Sequence, residues 1–118
     1  MPIQATTASE TAQRYYDAMV HGDGDALREL FDARVGIVGH FEGAFLWQSL
    51  DDFIDETKGL VGQHGAETCT IETIRIDGSI AAVTIAGRYA GLWIVDHLLM
   101  VDVDGALKIV AKTFHVDT

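Results

Sequence analysis

Among the residues able to do chemistry, Asp96 stands out by its surroundings. It interrupts an alternating apolar run of Ile94, Leu98 and Met100, a place where a bare carboxylate is costly to desolvate. Held there, a carboxyl can accept from a ligand donor or exchange a proton. Its pKa rises where desolvation dominates and stays low where hydrogen bonds dominate. His115 falls on the same expected face, nearly diagonal to Asp96, and a His–carboxylate pair is a general acid–base unit. The plainer reading of His115 is a histidine near a fraying strand end. His97 is adjacent to Asp96 in sequence, but neighbours on a strand point to opposite faces, so the pair makes a poor dyad.

Tyr16 can pack its ring in a core and aim its hydroxyl into a cavity, and Tyr15 competes for that role. His40, Phe41, Phe45 and Trp47 suit the mouth or floor of a pocket; ordinary packing explains all of them except His40. Glu72 adds a further carboxylate, with an exposed strand position as its plainer reading. His40, Asp96 and His115 have no metal-ligand spacing, and Cys69 stands alone, so no metal is expected. The glycine-rich fragments lack the strand–turn–helix context of a phosphate site, and no cofactor is expected.

The elements that position these residues follow from spacing and punctuation. Thr7 with Glu10 forms a capping box for a first helix carrying Ala8, Ala12, Tyr15, Tyr16 and Met19, which Gly22 ends. Asp23 or Asp25 caps a short second helix with Ala26, Leu27, Leu30 and Phe31. Residues 35–40 read as a strand that turns at Glu42-Gly43 into a segment over 45–47. Ser49 caps a third helix with Leu50, Phe53, Ile54 and Thr57, stopped by Gly59 or Gly62. A four-strand meander follows over 68–77, 80–90, 92–103 and 107–116. Its turns lie at Asp77-Gly78, Ala90-Gly91 and Asp104-Gly105.

Two-residue turns fix a register and therefore two faces. One face holds Val83, Ile85, Tyr89, Ile94, Asp96, Leu98, Met100, Ile109, Ala111, Thr113 and His115. The other holds Arg88, Trp93, Val95, His97, Leu99, Val101, Val110, Lys112 and Phe114. A bulge would exchange the faces locally. Both faces are largely apolar, and three helices cover only one of them. The other calls for a partner, and a homodimer through Trp93, Leu99, Val110 and Phe114 supplies it.

With 118 residues and 48% hydrophobic composition, the chain is expected to form a single domain over 1–118. A net charge of −10, without a basic stripe, disfavours nucleic acid and anionic membrane surfaces. With no signal-like leader and no apolar stretch of spanning length, a cytoplasmic location is expected.

This order of elements resembles the nuclear transport factor 2-like superfamily, also called SnoaL-like or cystatin-like. More narrowly it resembles the branch described as putative lumazine-binding. Tyr16 with Gly22-Asp23, Gly39 through Gly43, Asp96-His97-Leu98-Leu99, and 104–112 continuing to Phe114 carry the likeness. The resemblance implies an α+β fold: a curved antiparallel sheet and three N-terminal-half helices around a cone-shaped cavity. In the superfamily's ketosteroid isomerases, a helix-1 tyrosine and a late-strand acid polarise a carbonyl while a carboxylate moves the proton. Those roles map onto Tyr16 or Tyr15, onto Asp96, and, in place of the carboxylate, onto His40. Two main readings result. One is a binding domain for an aromatic or cyclic molecule, with Tyr15, Phe41, Phe45, Trp47, Tyr89, Ile94, Leu98 and Met100 as walls. The other is a cofactor-independent isomerase, dehydratase or cyclase using Asp96, Tyr16, His115 and His40. A structural or protein-interaction module is the third.

Overall fold

The computed structural model describes residues 2–117. Helix α1 (Ala5–Val20) is followed by α2 (Gly24–Leu30), strands β1 (Phe31–Phe41) and β2 (Ala44–Gln48), and helix α3 (Leu50–Gly59). Strands β3 (Cys69–Asp77), β4 (Ile80–Tyr89), β5 (Leu92–Val103) and β6 (Ala106–Asp117) complete the chain. Caps account for two of the helix starts. Asp23 accepts from the Ala26 amide and Ser49 from the Asp52 amide, each at 3.1 Å. The first helix starts two residues before the expected Thr7, and Gln4 at its N-cap makes no side-chain cap.

The sheet corrects the expected fold class. Its strand order is β2-β1-β6-β5-β4-β3, and β1 runs parallel to β6, so the sheet is mixed instead of antiparallel. Hairpin signals report only strands adjacent in sequence. The β1–β6 pairing joins strands separated by α3 and the first three strands of the meander, and no turn announces it. The sheet is open, with β2 and β3 as its edges, and does not close into the expected cone. Helix α3 comes after the β1–β2 hairpin and reaches Gly59, the middle of the chain.

The hairpins follow local chemistry. Glu42-Gly43, Ala90-Gly91 and Asp104-Gly105 all take positive φ at both positions, the geometry of a tight two-residue hairpin. At the β3–β4 turn Asp77 pairs with Ile80, so the central pair is Gly78-Ser79 and not Asp77-Gly78.

The helices bury one face of the sheet. Tyr15, Leu27, Phe31, Phe53, Ile54, Val83, Ile85, Leu98, Met100 and Ile109 form the core between the two layers. The other face has no layer over it and carries Trp47 (69% exposed), Phe45 (64%) and Leu99 (49%), an apolar and aromatic surface of the kind that contacts a ligand or a protein. Among the described residues no helix is long and apolar enough to cross a membrane.

Strand β6 departs most consequentially from the expected register. Leu99 pairs with Ala111 but Met100 with Ile109, so Val110 is an extra residue, a β-bulge. Before it, Ile109 points into the core as alternation predicts. After it the faces exchange: Lys112 and Phe114 turn inward, while Thr113 and His115 turn out. Asp96 accordingly pairs with Phe114 instead of Thr113, and His97 with Thr113 instead of Lys112.

Candidate functional site

A pocket of about 440 Å³ lies between α3 and the β1, β4, β5 and β6 end of the sheet. Its walls are chiefly apolar, with Met19, Ile37, Leu46, Phe53, Ile94 and Phe114 among them. Exposed Phe41, Asp55 and Gly59 give it a solvent-facing rim. Two polar groups of residues break the apolar lining.

The first is Asp96 with Lys112. Asp96 is 4% exposed, and its Oδ2 accepts from the Tyr15 hydroxyl at 2.6 Å. Its Oδ1 is buried with no hydrogen-bond partner among the described residues. Lys112, also 4% exposed, brings Nζ to 3.8 Å from Asp96 Oδ2, an ion-pair distance longer than a hydrogen bond. The ammonium sits over three rings, 4.1 Å from the centroid of Phe53, 5.1 Å from Tyr15 and 5.9 Å from Phe114. Burial pulls the Lys112 pKa below its ordinary value, against the neighbouring Asp96 and Glu56, which raise it. Burial, reinforced by Asp96, pushes the Tyr15 phenol well above its ordinary range, so Tyr15 is a fixed hydrogen-bond donor.

The second is Glu56 on α3. Its carboxylate accepts from Tyr89 Oη at 2.8 Å and from Gln48 Nε2 at 3.0 Å, and all three residues line the pocket. Burial first, then Glu56, raises the Tyr89 pKa. Unlike Asp96, Glu56 has both carboxylate oxygens engaged. Among the described residues no three His, Cys, Asp or Glu side chains gather as a metal-ligand set.

The residues singled out from sequence are dispersed. Asp96, Phe41, Tyr89 and Ile94 line the pocket, and Tyr15 stands directly behind Asp96. Tyr16 does not line it. Its hydroxyl donates to the Arg88 carbonyl at 2.7 Å and accepts from the Thr68 amide at 3.1 Å, tying α1 to the sheet. Leu98 and Met100 are fully packed core. His40 and Phe45 pair on the open face, their rings 5.9 Å apart. Trp47 lies on that face too, against Gly36, where a Cβ would meet the indole at 2.9 Å. His115 is exposed there, beside Val95.

Alternation alone puts Lys112 on the outer face, because the Val110 bulge that turns it inward leaves no mark in the sequence pattern. Phe114, placed at the dimer face for the same reason, is a pocket wall. Glu56 had a usable signal, since it falls three residues after Phe53 on the packed side of α3.

Comparison with known proteins decides the family. The family model described as "Putative lumazine-binding" matches residues 4–115. The chain belongs to that family. The nuclear transport factor 2-like superfamily is shown as well by solved structures. A protein of unknown function from Silicibacter pomeroyi is 28% identical with a TM-score of 0.91, over 95% of this chain and 94% of that one. Another, from Methylobacillus flagellatus, is 21% identical with a TM-score of 0.85, over 98% and 96%. A structure titled putative ketosteroid isomerase, from Shewanella frigidimarina, is 19% identical with a TM-score of 0.69, over 92% and 94%, a likeness of fold. No functionally curated protein matches the chain.

Proposed function

We propose that the protein binds a small, mostly apolar cyclic or aromatic molecule in the pocket beneath α3, oriented by Asp96 and Lys112. One observation carries this reading: a pocket with apolar walls is lined by Asp96, whose Oδ1 is buried with no hydrogen-bond partner among the described residues. Leaving such an acceptor unsatisfied costs about 1–3 kcal/mol, and a ligand N–H or O–H donor would recover it. A compact heterocycle fits the combination of apolar walls and one donor-seeking group. The family description names a lumazine, a molecule of that shape.

The test is titration of the purified protein with a panel of aromatic heterocycles, lumazine included, followed by fluorescence and native mass spectrometry. Saturable binding of one ligand per chain is expected, weakened at least about tenfold in Asp96→Asn, since a hydrogen bond to a charged group contributes about 1.5–3 kcal/mol. Absence of saturable binding across the panel would sink the reading.

The open sheet face belongs to the same proposal as the seat of a second copy. Trp93, Leu99 and Val110 supply the apolar surface, with Trp47 and Phe45 beside them and Phe114 withdrawn into the pocket. A self-complementary sheet-on-sheet contact covers what no helix covers.

A further inference from the structure

Resting on the pocket reading above, we infer that Lys112 is a nucleophilic amine that condenses with the carbonyl of an apolar aldehyde or ketone to form a Schiff base. Three observations meet at this side chain. Lys112 is one of the residues that line the pocket. Its nearest charged atom is Asp96 Oδ2, at 3.8 Å. Lys112 is enclosed by Phe53, Tyr15 and Phe114, and its burial favours the neutral amine against the ring faces, which favour the ammonium. The titratable groups around it are Asp96 from β5, Tyr15 from α1 and Glu56 from α3. Burial outweighs them, and the net displacement of the Lys112 pKa is downward.

Asp96 supplies the proton traffic that the condensation needs. The neutral amine attacks the carbonyl carbon, forming a C–N bond as the carbonyl π pair moves to oxygen. Asp96, with its free Oδ1, relays the amine proton to that oxygen and gives the carbinolamine. Protonation of the hydroxyl then expels water, and loss of the remaining N–H proton leaves a neutral imine. Net, one carbonyl compound and one amine yield one imine and one water, with no oxidant or reductant. Tyr15 acts by holding Asp96 Oδ2, so it is a positioning residue. Phe53 and Phe114 provide faces against which an aromatic carbonyl compound can stack.

The chain offers an internal control, because its other lysines are Lys58 and Lys108. Intact protein is incubated at pH 7 with 2-naphthaldehyde and sodium cyanoborohydride, and the adduct is located by peptide mass mapping. In parallel, 2-naphthylmethanol, which has the same ring and no carbonyl, is titrated for non-covalent binding. The expected result is one naphthylmethyl group per chain, on Lys112, formed at least about tenfold faster than on Lys58 or Lys108, with the alcohol competing. Labelling spread evenly over the lysines, or slowest at Lys112, overturns the inference. Binding of the alcohol without Lys112 labelling overturns the Schiff base and leaves the pocket reading standing. If the alcohol does not bind and Lys112 is not labelled, both fall.

Discussion

At the scale of single residues, the tyrosine pair shows how adjacent, equally buried side chains divide their work. Tyr15 faces Asp96 and Tyr16 faces the backbone of β4 and the segment before β3. Replacing Tyr16 by Phe removes a donor to the Arg88 carbonyl and an acceptor for the Thr68 amide. A stability loss of about 1–2 kcal/mol is expected, read by urea denaturation, with ligand affinity nearly unchanged. Tyr15→Phe instead strips the partner from Asp96 Oδ2 and should weaken ligand binding; equal effects of the two substitutions on affinity would contradict the division. Sequence could nominate the pair because both fall on the packed side of one helix. It could not separate them, since the choice depends on where β5 and β4 lie relative to α1. Asp96 was legible for a different reason: a carboxylate inside an apolar alternation is a local contradiction that only burial with partners resolves.

Whole elements were legible where their signals are local. The caps at Asp23 and Ser49 and the three turns with paired positive φ are written in two to four residues each. The parallel β1–β6 seam and the Val110 bulge are not, because each depends on a strand far away in sequence. The seam makes a demand of its own. At Gly39, paired with Phe114, a Cβ would lie 2.4 Å from the Phe114 carbonyl oxygen and 2.8 Å from its ring. Backbone cannot yield as a side-chain tip does. Gly39→Ala is therefore expected to cost about 1–3 kcal/mol by overpacking, seen as a lower urea midpoint, and to disturb the pocket through Phe114. An unchanged midpoint would mean that the seam is looser than the geometry shows.

For the molecule as a whole, the uncovered sheet face is the feature on which assembly turns. If a second copy seats there, sedimentation at micromolar concentration will give a dimer, and Leu99→Lys will shift it toward monomer by about thirtyfold or more in dissociation constant. A buried charge at an apolar contact is worth about 2 kcal/mol or more. A wild-type protein that sediments as a monomer would remove the dimer from the proposal. That one sheet face stays without a helical layer was readable in two apolar faces and too few helices, but the face's membership was not, because the bulge moved Phe114 to the other side. One consequence of the strand order concerns how the protein is made. Strand β6 follows every other strand in sequence yet sits between β1 and β5. While the chain is emerging from the ribosome, the β1–β2 hairpin and the β3–β5 meander have no strand pairing between them and are linked only through the packing of α1 on the meander. The sheet can close only after residue 117 has cleared the exit tunnel. Until then β1 and β5 each lack a neighbour, so loss of β6 through premature termination would leave one chain with two extra adhesive strand edges.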